Sequence, residues 1–264
     1  MDEFASLQKT IERLLGIKCS NYKEDYIKRR LLSRMRLTNT ADFEAYHRYL
    51  LANPQEHELL RNALTINVTK FFRDPEVFEV LRREILPDLA RRRDSIRIWC
   101  AGCATGEEPY SIAILVHELL ALRKDISVTI YATDIDTVVL QKAIAGVYDS
   151  KTLENVDEKR IRKHFISRDD GTFEVRPHIK SLVRFREHDL MSGEAVARYL
   201  DIVTCRNVTI YFTEKQKNDL TYLFYSALAS GGYYVMGKTE YLGREVEHLF
   251  VPYNSAQKIF RKAA

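Results

Sequence analysis

No hydrophobic run in this chain of 264 residues is long enough to span a bilayer. The most apolar stretch, Ile112 to Leu122, is interrupted by His117 and Glu118 and falls short of the roughly 20 residues a spanning helix needs. The opening Met1-Asp2-Glu3 lacks the basic start of a secretory signal. A cytoplasmic protein with no membrane insertion is therefore expected. Cysteine is scarce: Cys19, Cys100, Cys103 and Cys205 are the 4 present, too few for a disulfide framework in a chain of this size. Cys100 and Cys103 form a C-x-x-C, yet a structural zinc takes four ligands and no second pair or Cys/His cluster accompanies them. They read as small residues lining a tight turn, and no metal is expected. Glycine and proline are sparse too, at 10 and 6, and no low-complexity tract stands out.

What is present is the composition of a soluble globular protein, 45% hydrophobic and 30% charged, long enough for one large domain or two modest ones. The net charge of +4 is unevenly spread. Between Lys18 and Arg36 stand seven basic residues, Lys18, Lys23, Lys28, Arg29, Arg30, Arg34 and Arg36, against Glu24 and Asp25.

Residues 1 to about 66 carry helical spacing throughout. Phe4, Leu7, Ile11 and Leu14-Leu15 form one apolar stripe closed by Gly16; Tyr26-Ile27, Leu31 and Met35 form another. Asp42–Leu51 and Gln55–Leu64 predict two more helices. Asp74-Pro75-Glu76 reads as a helix start with a capping carboxylate, opening a linker helix over 75–94. From Ile96 onward strands and helices alternate, which predicts a mostly parallel sheet covered on both faces. Its strands are Ile96–Cys100, Val128–Thr133, Leu182–Arg186, Asp201–Cys205, Tyr233–Met236 and Gln257–Arg261. Gly231-Gly232 reads as a turn, and Thr213-x-x-Gln216 as a capping box. Phe165–Arg186, with Asp169-Asp170-Gly171 as its turn, reads as a small antiparallel insertion.

The segment from Ile96 to Tyr110 holds the most information: a strand, a glycine turn and an abrupt helix start with Glu107 and Glu108 at its mouth. A phosphate site leaves a helix N-terminus free for the ligand's negative charge. Carboxylates there suit a ligand with hydroxyls and a positive centre, as in S-adenosylmethionine. Only Gly102 and Gly106 fall in the turn, so the dinucleotide fingerprint is unmet and a nicotinamide oxidoreductase is disfavoured. Ligands of open α/β sheets bind beyond the strand carboxyl ends, and four such ends carry polar groups: Gly102–Glu108, Asp134, Asp189 and Arg206-Asn207. Asp134 either takes a ribose diol or caps the next helix. Glu107-Glu108 serve the ligand or the helix dipole, and Asn207 and Tyr211 are equally readable as a turn residue and a packed aromatic.

Five segments together resemble the family of chemotaxis receptor methyltransferases, enzymes that methylate glutamates on bacterial chemoreceptors. They are Thr65-Ile-Asn-Val-Thr-Lys-Phe-Phe-Arg73, Ala101-Gly-Cys-Ala-Thr-Gly-Glu-Glu-Pro-Tyr-Ser111, Ala132-Thr-Asp-Ile-Asp136, Cys205-Arg-Asn-Val-Thr-Ile-Tyr-Phe212 and Gly231-Gly-Tyr-Tyr-Val-Met-Gly237, in family order across nearly the whole chain. The resemblance implies an α/β fold. A Rossmann-like S-adenosylmethionine-dependent methyltransferase sheet occupies 95–264, with the small antiparallel β insertion at about 165–186. A small all-α N-terminal domain over 1–74 precedes the linker helix.

The cofactor implied is S-adenosyl-L-methionine, with S-adenosyl-L-homocysteine as product. Asn67, Thr69 and Arg73 would reach it from the N-terminal domain. Glu108 and Asp134 would contact its adenosine portion, with Gly102 in the turn beneath. Asp189-Leu190 and Asn207-Val208 would line the same pocket. Arg73 and Tyr211 would lie nearest the transferring methyl, with Arg206 close by. Some members have Asn where Asp189 stands, and Gly237-Lys-Thr-Glu240 differs from the family's Gly-His-Ser-Glu, so no role is assigned there.

The partner implied is the cytoplasmic helical domain of chemoreceptors, docked on Lys28, Arg29, Arg30, Arg34 and Arg36, with steering by opposite charge. No aromatic stacking platform accompanies these arginines, so nucleic acid is not expected. Some members of the family hold a C-terminal receptor pentapeptide on a slightly longer loop of the β insertion; Ile166–Gly171 resembles the short-loop form, and that resemblance implies independence from a pentapeptide tether. A monomer is the default. The alternatives are an S-adenosylmethionine-binding sensing or docking module and a methyltransferase acting on another substrate.

Overall fold

The computed structural model describes residues 3–65, 69–123 and 125–263. The chain divides into two units, Met1–Asn67 with Tyr211–Gln216, and Val68–Ile210 with Lys217–Ala264.

In the first unit the helical spacing of the sequence becomes α1 (Glu3–Leu15), α2 (Glu24–Leu37), α3 (Phe43–Ala52) and α4 (Pro54–Leu64). Gly16 ends α1 at φ +70°, a conformation open to a residue without a Cβ. Asp42 caps α3 by accepting from the Ala45 N–H at 2.7 Å. Leu7, Ile11, Ile27, Leu31, Leu50 and Leu60 are fully buried between the helices. The segment 211–216 joins this unit by short backbone pairing: Lys23 N–H donates to the Tyr211 carbonyl at 3.0 Å and Thr213 N–H to that of Asn21 at 3.2 Å.

One arginine of α2 departs from its expected role. The Arg34 guanidinium grips both oxygens of Glu56, at 2.8 and 2.6 Å, and Tyr46 donates to the same carboxylate at 2.7 Å. Arg34 is 13% and Glu56 2% exposed, so Arg34 ties α2 to α4 and is not available for docking. Removing one partner of such a pair leaves a charge short of partners in the interior, so Glu56→Gln is expected to cost about 3 kcal/mol. Burial alone would raise the Glu56 pKa, but Arg34 and Tyr46 outweigh it and hold it below the usual value. A depressed carboxylate pKa adds stability above the unfolded value and loses it as pH falls through the folded one. In urea melts the gap between wild type and Glu56→Gln should therefore narrow in acid. A gap that stays constant through that window would show that the Arg34–Glu56 charge pair is not its source.

The second unit begins with a helical run made of α5 (Pro75–Val80), a π-helical turn (Leu81–Ile85) and α6 (Leu86–Arg92). Pro87 has no N–H for the regular ladder, and the widened turn, closed from Leu86 N–H to the Leu81 carbonyl, absorbs that loss. Val77, Phe78, Leu81, Ile85 and Leu89 share one core with the sheet residues Ile98, Ile130 and Ile202. The expected linker is thus packed into the α/β unit.

The alternating part forms β1 (Ser95–Ala101), α7 (Glu107–Leu120), β2 (Ser127–Asp134), α8 (Thr137–Ala145), β3 (Val147–Tyr148), α9 (Glu158–His164), β4 (Phe165–Ser167), β5 (Phe173–Val175), α10 (Pro177–Lys180), β6 (Val183–Glu187), β7 (Leu200–Cys205), α11 (Glu214–Ala227), β8 (Leu228–Met236), β9 (Phe250–Asn254) and β10 (Ile259–Lys262). The large sheet runs β6-β2-β1-β7-β8-β10-β9. Its first five strands pair in parallel, and β10 pairs antiparallel with β8 and β9. All six residues of β7 are buried, as a strand covered on both faces requires. From β1 the chain steps outward through β2 to β6, then returns to lay β7 on the other side of β1. That reversal opens a crevice at the carboxyl ends of β1 and β7.

Three details differ from the sequence expectation. Gly231-Gly232 is no turn: β8 runs through it, with Gly231 at φ +72° where the register against β7 shifts, a bulge that glycine accommodates. β9 was unforeseen because Pro252 breaks its strand pattern; it sits at the sheet edge, where a missing N–H is tolerated. The small sheet, ordered β3-β5-β4, recruits Val147-Tyr148 from outside 165–186, while β6 leaves that segment for the large sheet.

Candidate active site

β1 ends in a turn that the backbone of β2 holds. The Gly102 and Cys103 N–H groups both donate to the Thr133 carbonyl, at 2.8 and 2.9 Å. Gly102 stands at φ +77°, and a Cβ there would lie 2.6 Å from Val208 Cγ2. Val208 therefore packs directly on the turn, and bare backbone is the only covering that fits. Gly106, at φ +94°, is closed in by Ala143 in the same way.

Asp134 finishes β2 under this turn. Its Oδ2 accepts from Ala104 N–H at 2.8 Å and its Oδ1 from Asp136 N–H at 3.0 Å. Capping of α8 falls instead to Asp136, which accepts from Val138 and Val139. Burial raises the pKa of Asp134 despite those backbone donors. A carboxylate offers about four acceptor directions, and the backbone donors Ala104, Ile135 and Asp136 leave capacity for a ligand. Glu107 is buried and its pKa is likewise raised by burial; it serves the turn itself, accepting from the Thr105 hydroxyl at 2.9 and 2.7 Å.

Glu108, half-buried, is held at both oxygens, by the Thr204 hydroxyl at 2.5 Å and by Arg206 Nη1 at 2.9 Å. Arg206 then reaches from the end of β7 to the segment before α5. Its Nη2 donates to the Arg73 carbonyl at 2.9 Å and to Asp74 at 2.6 Å. Asp74 was expected to cap α5; its backbone is left-handed at φ +58°, it makes no cap bond, and its carboxylate is turned to Arg206. Arg206 thus fastens the Arg73–Asp74 segment to Glu108.

Beyond Arg206 the chain turns sharply at Asn207, φ +61°. Glu240 holds that turn. One carboxylate oxygen accepts from the N–H groups of Asn207 and Gly237, at 2.8 and 2.6 Å, and the other from the N–H and hydroxyl of Thr209, at 2.8 and 2.7 Å. Resemblance gave no role to this segment, whose one signal in the sequence is an acid just after a strand end. Positive φ at non-glycine residues recurs around the crevice, at Phe72, Asp74, Ala104 and Asn207, and such backbone strain gathers at functional sites.

The α/β unit therefore brings together Gly102, Glu108, Asp134, Arg206, Asn207 and Val208, with the Arg73 segment bound to them through its carbonyl. Thr69 is half-buried at the entry to that segment. Asp189 follows His188, whose N–H donates to the Asp134 carbonyl at 2.9 Å; its carboxylate accepts from Met191 N–H at 2.8 Å, beside half-buried Leu190. Asn67 lies outside the described residues. Tyr211 belongs to the helical unit, its ring 4.7 Å from that of Tyr26. Of the basic residues of α2, Arg29 and Arg36 are exposed, Lys28 pairs with Glu24 at 2.5 Å, Arg30 lies over the Tyr26 ring at 5.4 Å, and Arg34 is engaged with Glu56. All four cysteines are free and buried, and burial raises the thiols of Cys100 and Cys103 well above their ordinary value.

Residues 67–259 match the family model described as CheR methyltransferase, SAM binding domain, and residues 2–65 match the CheR methyltransferase all-alpha domain. The chain belongs to the CheR methyltransferase family. Among relatives of CheR type, it is 34% identical to chemotaxis protein methyltransferase 2 of Vibrio cholerae serotype O1, covering 92% of this chain and 86% of that one. It is 36% identical to chemotaxis protein methyltransferase 2 of Pseudomonas aeruginosa over 90% and 86%, and 32% identical to the chemotaxis protein methyltransferase of Listeria innocua over 90% and 89%. As a CheR methyltransferase it is an enzyme, an S-adenosylmethionine-dependent protein-glutamate O-methyltransferase. No helix among the described residues is long and apolar enough to cross a membrane.

The residues of the crevice fit that cofactor, which supplies an electrophilic methyl on a cationic sulfur. Asp74, Glu108 and Asp134 outnumber Arg206, and Glu107 and Glu108 stand in the first turn of α7, where a phosphate site would present free N–H groups. Asp134 keeps acceptor capacity for hydroxyls.

Proposed function

We propose that this enzyme methylates glutamate side chains on the cytoplasmic helical domain of chemoreceptors, giving glutamyl methyl esters in sensory adaptation. The observation that carries this reading is the Glu108–Arg206–Asp74 bridge, which holds the Arg73 segment against the carboxylates of the cofactor crevice. A glutamate carboxylate is ionised near neutral pH, so its attack on a sulfonium methyl needs no general base. Asn67, Thr69, Glu108, Asp134, Asp189, Leu190, Asn207 and Val208 hold the cofactor. Arg73 orients the incoming carboxylate through charge-assisted hydrogen bonds, and Tyr211 serves the same step. In-line positioning accounts for the rate, being worth about 7–11 kcal/mol in well-oriented systems.

Docking falls to the exposed face of α2, where Arg29 and Arg36 stand beside Leu32, 44% exposed, and Leu37, 69% exposed. Cations flanking exposed leucines suit an acidic amphipathic receptor helix. The tip of the β4–β5 hairpin closes on itself, Arg168 N–H donating to the Thr172 carbonyl at 2.9 Å and the Arg168 side chain leaning to Asp170 and Glu174. That closure supports action without a receptor pentapeptide tether, by a cytoplasmic monomer.

The test is transfer of radiolabelled methyl to receptor cytoplasmic fragments, followed by mild base. Wild type should yield base-released methanol, Arg73→Ala at least about 100-fold less, and fragments lacking the C-terminal tail should be methylated as fast as intact ones. Base-stable label would refute the ester reading, and a large drop on removing the tail would refute tether independence.

A further inference from the structure

Away from the crevice, three histidines from separate parts of the sequence meet in the α/β unit: His117 in the last turn of α7, His164 at the end of α9 and His178 in α10. One ring nitrogen from each lies within 4.8 Å of the others. We propose that His117, His164 and His178 form a binding site for a divalent transition metal of the zinc type, held by three imidazoles with the fourth position open to water.

The spacing supports it. His164 Nδ1 and His178 Nε2 are 3.3 Å apart, and a tetrahedral ion with metal–nitrogen bonds of about 2.0–2.1 Å sets its ligand nitrogens about 3.3–3.4 Å apart. Completing the site asks only for an adjustment of His117, whose ring centroid is 5.2 Å from that of His164 and 4.7 Å from that of His178. Polar satisfaction points the same way. His164 is fully buried, and the Nδ1 of His117 has no hydrogen-bond partner among the described residues; buried polar atoms of this kind are rare without an unseen ligand. His178 is exposed and opens the site to solvent.

Glu118 is occupied by Arg160 at 2.8 Å, so a solvent molecule completes the coordination. Lys163 and Arg176 stand nearby and oppose a cation, which sets a moderate affinity. His117 is about 14 Å along α7 from Glu108 at 1.5 Å per residue, too far for the ion to act in methyl transfer. Its effect is mechanical: it pins α9 and α10, which bracket the β4–β5 hairpin, to the helix whose first turn carries Glu107 and Glu108.

The test uses the full chain without an affinity tag, stripped with chelator and titrated with zinc chloride by calorimetry near neutral pH, with cobalt absorption as a second readout. One equivalent should bind, with visible bands of low-coordinate cobalt. His178→Ala, at an exposed position that leaves the core intact, should weaken binding at least about tenfold, while His248→Ala, exposed elsewhere, should not. At a hundredfold excess of zinc over Kd, Tm should rise by about 5–10 °C in wild type but not in His178→Ala. Absence of binding, or equal binding by wild type and His178→Ala, would reduce the cluster to an imidazole–imidazole hydrogen bond and overturn the proposal.

Discussion

Arg206→Met should lose about 3–5 kcal/mol of stability in urea unfolding and bind S-adenosylhomocysteine markedly less tightly. The Arg206 side chain is 2% exposed and faces the carboxylates of Glu108 and Asp74. Methionine fills much of its volume but leaves the two acids without their shared cation, and it releases the Arg73 carbonyl. Arg206→Lys should fall between, because one ammonium cannot reproduce a planar fork that reaches three acceptors. Adding Glu108→Gln to Arg206→Met should recover part of the stability, since the two sites are directly coupled, without restoring the cofactor. A single Arg206→Met variant within about 1 kcal/mol of wild type, with unchanged cofactor affinity, would show that the bridge is incidental, because an ordinary buried-pair deletion exceeds that figure.

Glu240→Ala should be comparably severe although Glu240 touches no residue reacting with substrate. The change strands the N–H groups of Asn207, Thr209 and Gly237, and each unsatisfied buried donor costs about 1–3 kcal/mol. The usual conservative change is the sharper test. Glu240→Gln keeps an acceptor for Thr209 but turns an amide NH2 toward the N–H groups of Asn207 and Gly237, so donor meets donor. Glutamine should therefore approach alanine in destabilisation and in the rise of cofactor Kd, read by urea unfolding and calorimetry. A Glu240→Gln enzyme of wild-type affinity would mean that the Asn207 turn holds its left-handed backbone without the carboxylate.

Both predictions concern residues whose importance a linear reading gets partly wrong. Arg206 was placed near the methyl by resemblance alone; the structure makes it a buried clamp between Glu108 and Asp74. Glu240 was passed over, since an acid after a strand has many uses and two of its partners, Asn207 and Thr209, lie 33 and 31 residues earlier. Arg34 was grouped with its cationic neighbours because helical spacing cannot tell a solvent-facing arginine from one that meets an acid on another helix. Elements with strong local signals were legible: α3, α4 and α8, each with a cap or a proline at its start, and the apolar strands β1, β2 and β7. Weak or interrupted signals hid others, as Pro252 did for β9 and Gly231 for the full length of β8.

By itself the sequence determined the order of helices and strands, the glycine turn with its acids, and family membership, because these depend on periodicity, capping and short contiguous motifs that act within a few residues. Tertiary structure alone decided which charges are consumed inside the protein, which acid supports the Asn207 turn, and that His117, His164 and His178 meet. Those outcomes depend on groups tens of residues apart sharing a desolvated space, and no local pattern encodes which partner a buried charge will find.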